Sequence, residues 1–204
     1  MPVISPERMQ ERYDAILEAA KQVFADKGFE AASIAEIARV ARVSDGLVYR
    51  YFANKRDLLY QVLRAFYERI MPDPEAEARE ATGFRERLHR LISRHLEVFV
   101  ADTDLCRLFI SQVRVARDYE GSEIQALNRR YTSALVGIVT GGVAAGEVRP
   151  DVDPRLVRDV IFGSIEHLAW RHVNGRSRLD IRRTAGELTA LLADGLCTAR
   201  GSRP

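Results

Sequence analysis

Apolar residues recur at helical spacing along the whole chain, and no stretch stands out as the apolar–polar alternation of a half-buried strand. The first repeat, Ile16 through Phe24, closes at Gly28-Phe29. Ile34, Ile37, Ala38 and Ala41 make the next apolar face; Ser33 before them is an N-cap, and Glu36 three positions on completes a capping box. The pattern breaks at Arg42. Ser44 then caps a short helix on which Val48 and Phe52 face inward, while Asp45, Gly46, Leu47, Tyr49, Arg50 and Tyr51 stay at or near the outer side. Asn54 caps a helix that runs toward Met71, ahead of Pro72 and Pro74, and residues 72 to 83 read as a polar, acidic connection. Further helices are expected through Leu88, Leu91, Ile92, Leu96 and Phe99; over 104 to 118; from the Ser122/Gln125 capping box toward Gly146; from Asp153-Pro154 to Val173; and from Asp180 until the Gly201-Ser202-Arg203-Pro204 tail. The expected fold is all-α, with about nine helices.

Within this frame, residues 33 to 57 carry the most chemistry. Two short helices joined by a tight turn present small, aromatic and basic side chains away from the core, which suits insertion into a DNA groove. Gly46 sits in the first turn of the second helix, where glycine is unfavourable by about 1 kcal/mol relative to alanine. It makes sense there if another surface must approach the backbone closely.

The run A-R-V-A-R-V-S-D-G-L-V-Y-R-Y-F-A-N-K-R-D-L-L, residues 38 to 59, resembles the signature of the TetR family of bacterial transcriptional regulators, and the Ile16–Phe24 helix resembles that family's first helix. The resemblance implies a three-helix helix-turn-helix DNA-binding domain over residues 1 to 53, a ligand-binding and dimerisation domain over 54 to 204, and a homodimer on double-stranded DNA. It implies DNA contacts at Ser33, Asp45, Gly46, Leu47, Tyr49, Tyr51 and Lys55, to which the chemistry of Arg50 adds one more. Two positions depart from the family pattern. Arg42 stands where the turn usually has glycine, so the turn must avoid or tolerate a left-handed backbone. Asp45 stands where many members carry a base; it either accepts from cytosine N4 in the major groove or favours the helix N-terminus through the dipole.

Charge sharpens this reading. The chain of 204 residues carries a net charge of only +2, and residues 1 to 57 hold nine Lys/Arg against nine Asp/Glu. Binding must therefore depend on a few placed residues. Lys55 is expected to hold a phosphate, so that Lys55→Ala lessens the salt slope of DNA binding by roughly one.

In the remaining chain, Leu156, Val160, Gly163, His167 and Trp170 fall on a heptad-like stripe, as do Ile181, Ala185, Leu188, Leu192 and Gly195. Either stripe suits a monomer core or a partner; the resemblance favours a dimer contact through Leu156, Gly163, His167, Trp170, Leu188 and Leu192, and hence a palindromic operator. Candidate effector contacts are Phe99, Leu108, Gln112, Tyr131, Phe162 and Glu166, with Arg107, Arg114 and Arg117 available to an anionic group. Leu91 to Val100 with Gln112, G-E-V-R-P-D-V-D-P (146 to 154) and I-F-G-S-I-E-H (161 to 167) resemble, more loosely, the subgroup that represses fatty-acid degradation genes and is released by long-chain acyl-CoA. A small hydrophobic effector is the broader expectation; a drug-responsive efflux regulator is an alternative.

Catalysis and metals find no support. Glu86-Arg87-Leu88-His89 is a single Glu-x-x-His where a di-iron bundle needs two, the histidine pairs are five or six apart, and no nucleophile elbow, phosphate loop or dinucleotide fingerprint occurs. No enzyme activity, metal or cofactor is expected. Cys106 and Cys197 read as reduced helix cysteines. With no apolar run of membrane length and no secretory h-region, the expected location is cytoplasmic, without a membrane partner. A helical ligand carrier without DNA function is the rival reading.

Overall fold

A computed structural model describes residues 5–71 and 82–197, and among them it has nine α-helices and no named strand. They are α1 (Pro6–Ala31), α2 (Ile34–Ala41), α3 (Asp45–Tyr51), α4 (Lys55–Ile70), α5 (Phe84–Ala101), α6 (Thr103–Leu108), α7 (Glu123–Ala144), α8 (Pro154–Val173) and α9 (Ile181–Leu196). The expected acidic connection, apart from Thr82 and Gly83, lies outside the described residues.

The chain divides into two compact units: residues up to Arg69 with Arg107–Gln125, and Ile70–Cys106 with the chain from Ala126 onward. In the first unit α1 to α4 enclose a core of Ile16, Phe24, Ile37, Val48, Phe52, Leu58 and Leu63. Gly28, at φ 77°, breaks α1 and turns Phe29 into this core; only glycine takes that φ without strain. In the second unit α5 lies between α9 and α8, burying Leu88, Ile92 and Leu96. Gly142 of α7 lets the chain beyond the helix close over it, since a Cβ there would stand 2.7 Å from the Val148 side chain.

The helix expected over 104 to 118 is corrected. α-Helical bonding stops at Leu108, and Phe109–Val113 forms a π-helical turn, its exit marked by Arg114 N–H donating to the Phe109 carbonyl at 2.9 Å. The β-branched Ile110, Val113 and Val115 resist a continuous α-helix through χ1 restriction. Phe109 is thereby placed edge-on to both Tyr67 and Tyr119, 5.9 and 6.0 Å between centroids, within the first unit.

Candidate nucleic-acid interface and effector-facing core

The short helices of the first unit are set by their caps. Ser33 Oγ accepts from Glu36 N–H at 3.2 Å and Ser44 Oγ from Leu47 N–H at 3.3 Å. Glu36 does not complete its capping box: its carboxylate pairs with Lys27 at 2.6 Å and lies 3.9 Å from Arg39. At the turn between α2 and α3, Arg42 adopts φ 56° and ψ 42°, the left-handed conformation. It is the sole non-glycine residue with positive φ among the described residues. The turn tolerates it because the N–H of Arg42 and that of Val43 return to the carbonyls of Arg39 and Ala38, satisfying the end of α2.

Val48 and Phe52 are buried, so α3 is anchored by one side. Its other side presents Asp45, Gly46, Tyr49 (57% exposed) and Arg50 to solvent, with Leu47 half-buried and Ser33 exposed at the head of α2. An added Cβ at Gly46 would meet nothing within 4 Å. The glycine therefore answers no packing need of the chain itself and leaves a bare backbone on the outer face.

Two expected DNA contacts are already engaged. The Tyr51 hydroxyl donates to the Met9 carbonyl at 3.3 Å and its ring stands edge-on to Tyr13, tying α3 to α1. Lys55 Nζ donates to the carbonyls of Phe29 (2.7 Å), Ala32 (2.9 Å) and Glu30 (3.1 Å), and lies 4.5 Å from the centre of the Phe29 ring. An ammonium has three protons, and all three go to the chain leaving α1. Lys55 as a side-chain phosphate contact is accordingly corrected: it is a clip for the α1–α2 junction. Asn54 and Asp57 cap α4 around it, Asp57 N–H donating to Asn54 Oδ1 and Ala53 N–H to Asp57 Oδ2.

Arg107, expected to be available to an anionic ligand, instead donates to the Ala25 carbonyl at 3.3 Å. Arg56 reaches Asp118 at 3.5 Å and Arg64 reaches Glu123 at 3.6 Å. These contacts fasten residues 107–125 to the N-terminal helices. Sequence periodicity carries no signal for them, because each joins positions far apart in the chain.

In the second unit Phe99, Tyr131 and Phe162 come together around His95. Its ring is 4.7 Å from Phe162 and 5.2 Å from Phe99, both edge-on, and 5.4 Å from Tyr131. His95 Nδ1 and the Tyr131 hydroxyl share a 2.9 Å hydrogen bond. Burial pushes the imidazole down from its ordinary range to about 3, so the ring is neutral at pH 7. Phe99 and Tyr131 are buried; Phe162 and Glu166 are half-buried. The sequence weighs His95 only as one of a histidine pair and gives no cue to its place among these rings, which come from three helices. Leu108 and Gln112 fall in the first unit, at the end of α6 and in the π-helical turn, apart from this group.

On α8 the whole heptad-like stripe of Leu156, Val160, Gly163, His167 and Trp170 faces outward, with Leu156 62% and Trp170 41% exposed. On α9 the stripe divides, with Gly195 exposed and Ile181 and Leu192 half-buried. Ala185 and Leu188 are buried against the chain's own core, beside the Thr189 hydroxyl bonded to His89 Nδ1 at 3.2 Å. Leu188 is thus corrected from a partner-facing to a core position, Leu192 is half-buried, and Leu191, 74% exposed, is the outer leucine. Among the described residues no helix is long and apolar enough to cross a membrane, and no cluster of metal-binding side chains occurs.

Residues 16–62 match the family of bacterial regulatory proteins named for tetR, and residues 81–196 match the tetracyclin repressor-like C-terminal domain. The chain is 28% identical over 185 residues to the fatty acid metabolism regulator protein of Bacillus subtilis, covering 91% of this chain and 95% of that one. It is 26% identical over 212 residues to the transcriptional repressor KstR2 of Mycolicibacterium smegmatis, covering 98% and 97%. Among solved structures, the fatty acid degradation regulator FadR of Bacillus halodurans superposes with a TM-score of 0.78 at 29% identity, over 90% of this chain and 99% of that one. The FadR of Bacillus subtilis in complex with stearoyl-CoA superposes with 0.77 at 29% identity, over 90% and 98%. These relatives are regulators of transcription, not enzymes, and their likeness extends through both halves of the fold. The chain belongs to the TetR family of bacterial transcriptional regulators and is a ligand-responsive repressor of that kind.

Proposed function

We propose that this repressor works in the cytoplasm as a homodimer on a palindromic operator and is released by a long-chain acyl-CoA. One observation carries the effector: a relative that superposes over nine-tenths of the chain, the Bacillus subtilis FadR, was solved with stearoyl-CoA. The cluster of Phe99, Tyr131 and Phe162 around a neutral His95 supports it, since an acyl chain needs aromatic and apolar neighbours and no charge. Glu166, four residues along α8 from Phe162 and half-buried, is the further contact of this reading, at the polar end of the effector.

DNA is read by Asp45, Gly46, Leu47, Tyr49 and Arg50 of α3, with Ser33 at a flanking phosphate. The functional boundary then follows residue 53, ahead of the effector and dimer functions of 54 to 204. The outward stripe of α8, with Leu192 and Leu191 of α9, supplies the partner face, and two copies set their recognition helices about 34 Å apart, one turn of DNA. Effector acts only through unequal affinity for the DNA-fitting and non-fitting states; driving a nearly complete switch takes about 10⁴-fold, or about 5.5 kcal/mol.

The test is footprinting on the region upstream of the chain's own operon, followed by gel shift with palmitoyl-CoA. A protected palindrome released by palmitoyl-CoA is the expected outcome. Protection that palmitoyl-CoA leaves untouched overturns the effector; no protection at moderate salt overturns the repressor on this DNA.

A further inference from the structure

The turn between α8 and α9 holds a concentration of positive charge that the recognition helix does not explain. Arg171, Arg176, Arg178, Arg182 and Arg183 fall within thirteen residues that contain one acidic side chain, Asp180. The stretch is +4 in a chain of net +2, so the rest of the molecule is net negative. All five arginines are exposed. Several arginines elsewhere in the chain are engaged: Arg85 with Asp194, Arg90 with Glu86, Arg158 with Asp159, Arg64 with Glu68. Among the described residues, none of these five guanidinium groups has a hydrogen-bonding or ionic partner. Asp180 is occupied as the cap of α9, accepting from the Arg183 main-chain N–H at 3.0 Å.

The turn itself is held in place. The Asn174, Gly175 and Arg176 N–H groups return to the carbonyls of Trp170, His172 and Arg171, and His172 bonds the Ser177 carbonyl at 3.3 Å and the Thr103 hydroxyl at 3.3 Å. Thr103 opens α6, four residues before Arg107, where the chain enters the unit that bears the recognition helix. The main chain that carries these arginines is therefore fixed within the second unit. Residues 174 to 180 expose no apolar side chain, Leu179 being half-buried, whereas a protein partner would need an apolar centre. Guanidinium forks suit phosphate oxygens.

We propose that Arg171, Arg176, Arg178, Arg182 and Arg183 form a second contact with the DNA backbone, sequence-independent and outside the helix-turn-helix. It rests on the DNA-binding function proposed above. It also answers the charge balance of the N-terminal residues, where nine basic side chains meet nine acidic ones and Lys55 is held by carbonyls.

The experiment is fluorescence anisotropy on the footprinted operator and on random duplex, between about 50 and 200 mM KCl, with the intact chain and with R176Q/R178Q/R182Q/R183Q. Each phosphate that is no longer neutralised makes the slope of log K against log salt shallower by about 0.9 and weakens binding about fivefold at 0.15 M salt. The expected result is a shallower slope and weaker binding on both duplexes, an unchanged footprint, and restoration by R176K/R178K/R182K/R183K, which keeps the charge. Operator binding by the intact chain with an unchanged slope in the glutamine variant overturns the patch alone. An unchanged slope with a weakened palmitoyl-CoA response assigns the arginines to the phosphates of that effector and overturns it likewise. An intact chain that binds neither duplex overturns the DNA-binding reading and this contact with it.

Discussion

Replacing Lys55 with methionine separates a structural role from a DNA-binding one. The substitution keeps the aliphatic stem over Phe29 and removes the ammonium with its hydrogen bonds of 2.7, 2.9 and 3.1 Å. Phe29 and Ala32 are buried, whereas Glu30 is exposed and its carbonyl can turn to water. Two bonds therefore count. A charged donor to a carbonyl contributes about 1.5–3 kcal/mol when its loss leaves the acceptor unpaired, and the ring contact at 4.5 Å adds about 0.5–1 kcal/mol. Allowing for partial resolvation, the loss is about 3 kcal/mol, a fall of roughly 6–12 °C in melting temperature for a chain of this size. The salt slope of operator binding should stay as it is, because no ammonium proton is left for phosphate. Thermal unfolding followed by circular dichroism and an anisotropy salt series read the two effects separately. A variant that melts like the parent, with a slope shallower by about 0.9, would refute the reasoning.

Three other perturbations follow from the same geometry. Arg42→Gly relieves a left-handed arginine that costs about 1–2 kcal/mol but adds unfolded-chain entropy of about 0.5–1 kcal/mol, so urea unfolding should show a gain of up to about 1 kcal/mol; a loss would mean that the Arg42 side chain makes a stabilising contact. His95 stays neutral in the fold down to about pH 3, while the unfolded chain protonates below its ordinary value, so its contribution is complete above about pH 6.5 and falls as pH drops, by about 2 kcal/mol at pH 5. The urea midpoint should decline from about pH 7 to pH 5 by less in His95→Gln than in the parent, and equal declines would remove His95 as the cause. Val160→Asp places a charge on the outward α8 stripe, where Val160 is 45% exposed in the single chain; analytical ultracentrifugation should find monomer with unchanged helical content, and a persisting dimer would move the partner face elsewhere.

The parts of this molecule legible in sequence are those set by neighbours within four residues. Ser33, Ser44, Asn54, Asp153 and Asp180 each cap a helix because the cap bond spans two or three positions, and Val48 and Phe52 face inward because a helix repeats at that interval. The motif over residues 38 to 59 is readable for the same reason. Gly46 is exposed and has no neighbour to its missing Cβ.

What periodicity could not reach are side chains whose partners lie far along the chain. Lys55 looks like a surface base at a helix start until Phe29, Glu30 and Ala32 curl beneath it, and Arg107 looks like a ligand-facing base until the Ala25 carbonyl meets it across 82 positions. The two stripes of α8 and α9 read alike as heptads, yet one faces solvent throughout and the other turns Ala185 and Leu188 into the core. Spacing determines which residues share a side of a helix and says nothing of what stands opposite that side. α9 turns Ala185 and Leu188 inward because α5 packs there, as the bond between His89 and the buried Thr189 records. The same distinction separates the basic residues of this repressor. Lys55 and Arg107 close gaps in the fold, while the arginines after α8 stand without a partner among the described residues, so charge counted along the sequence misplaces the surface that is left to meet phosphate.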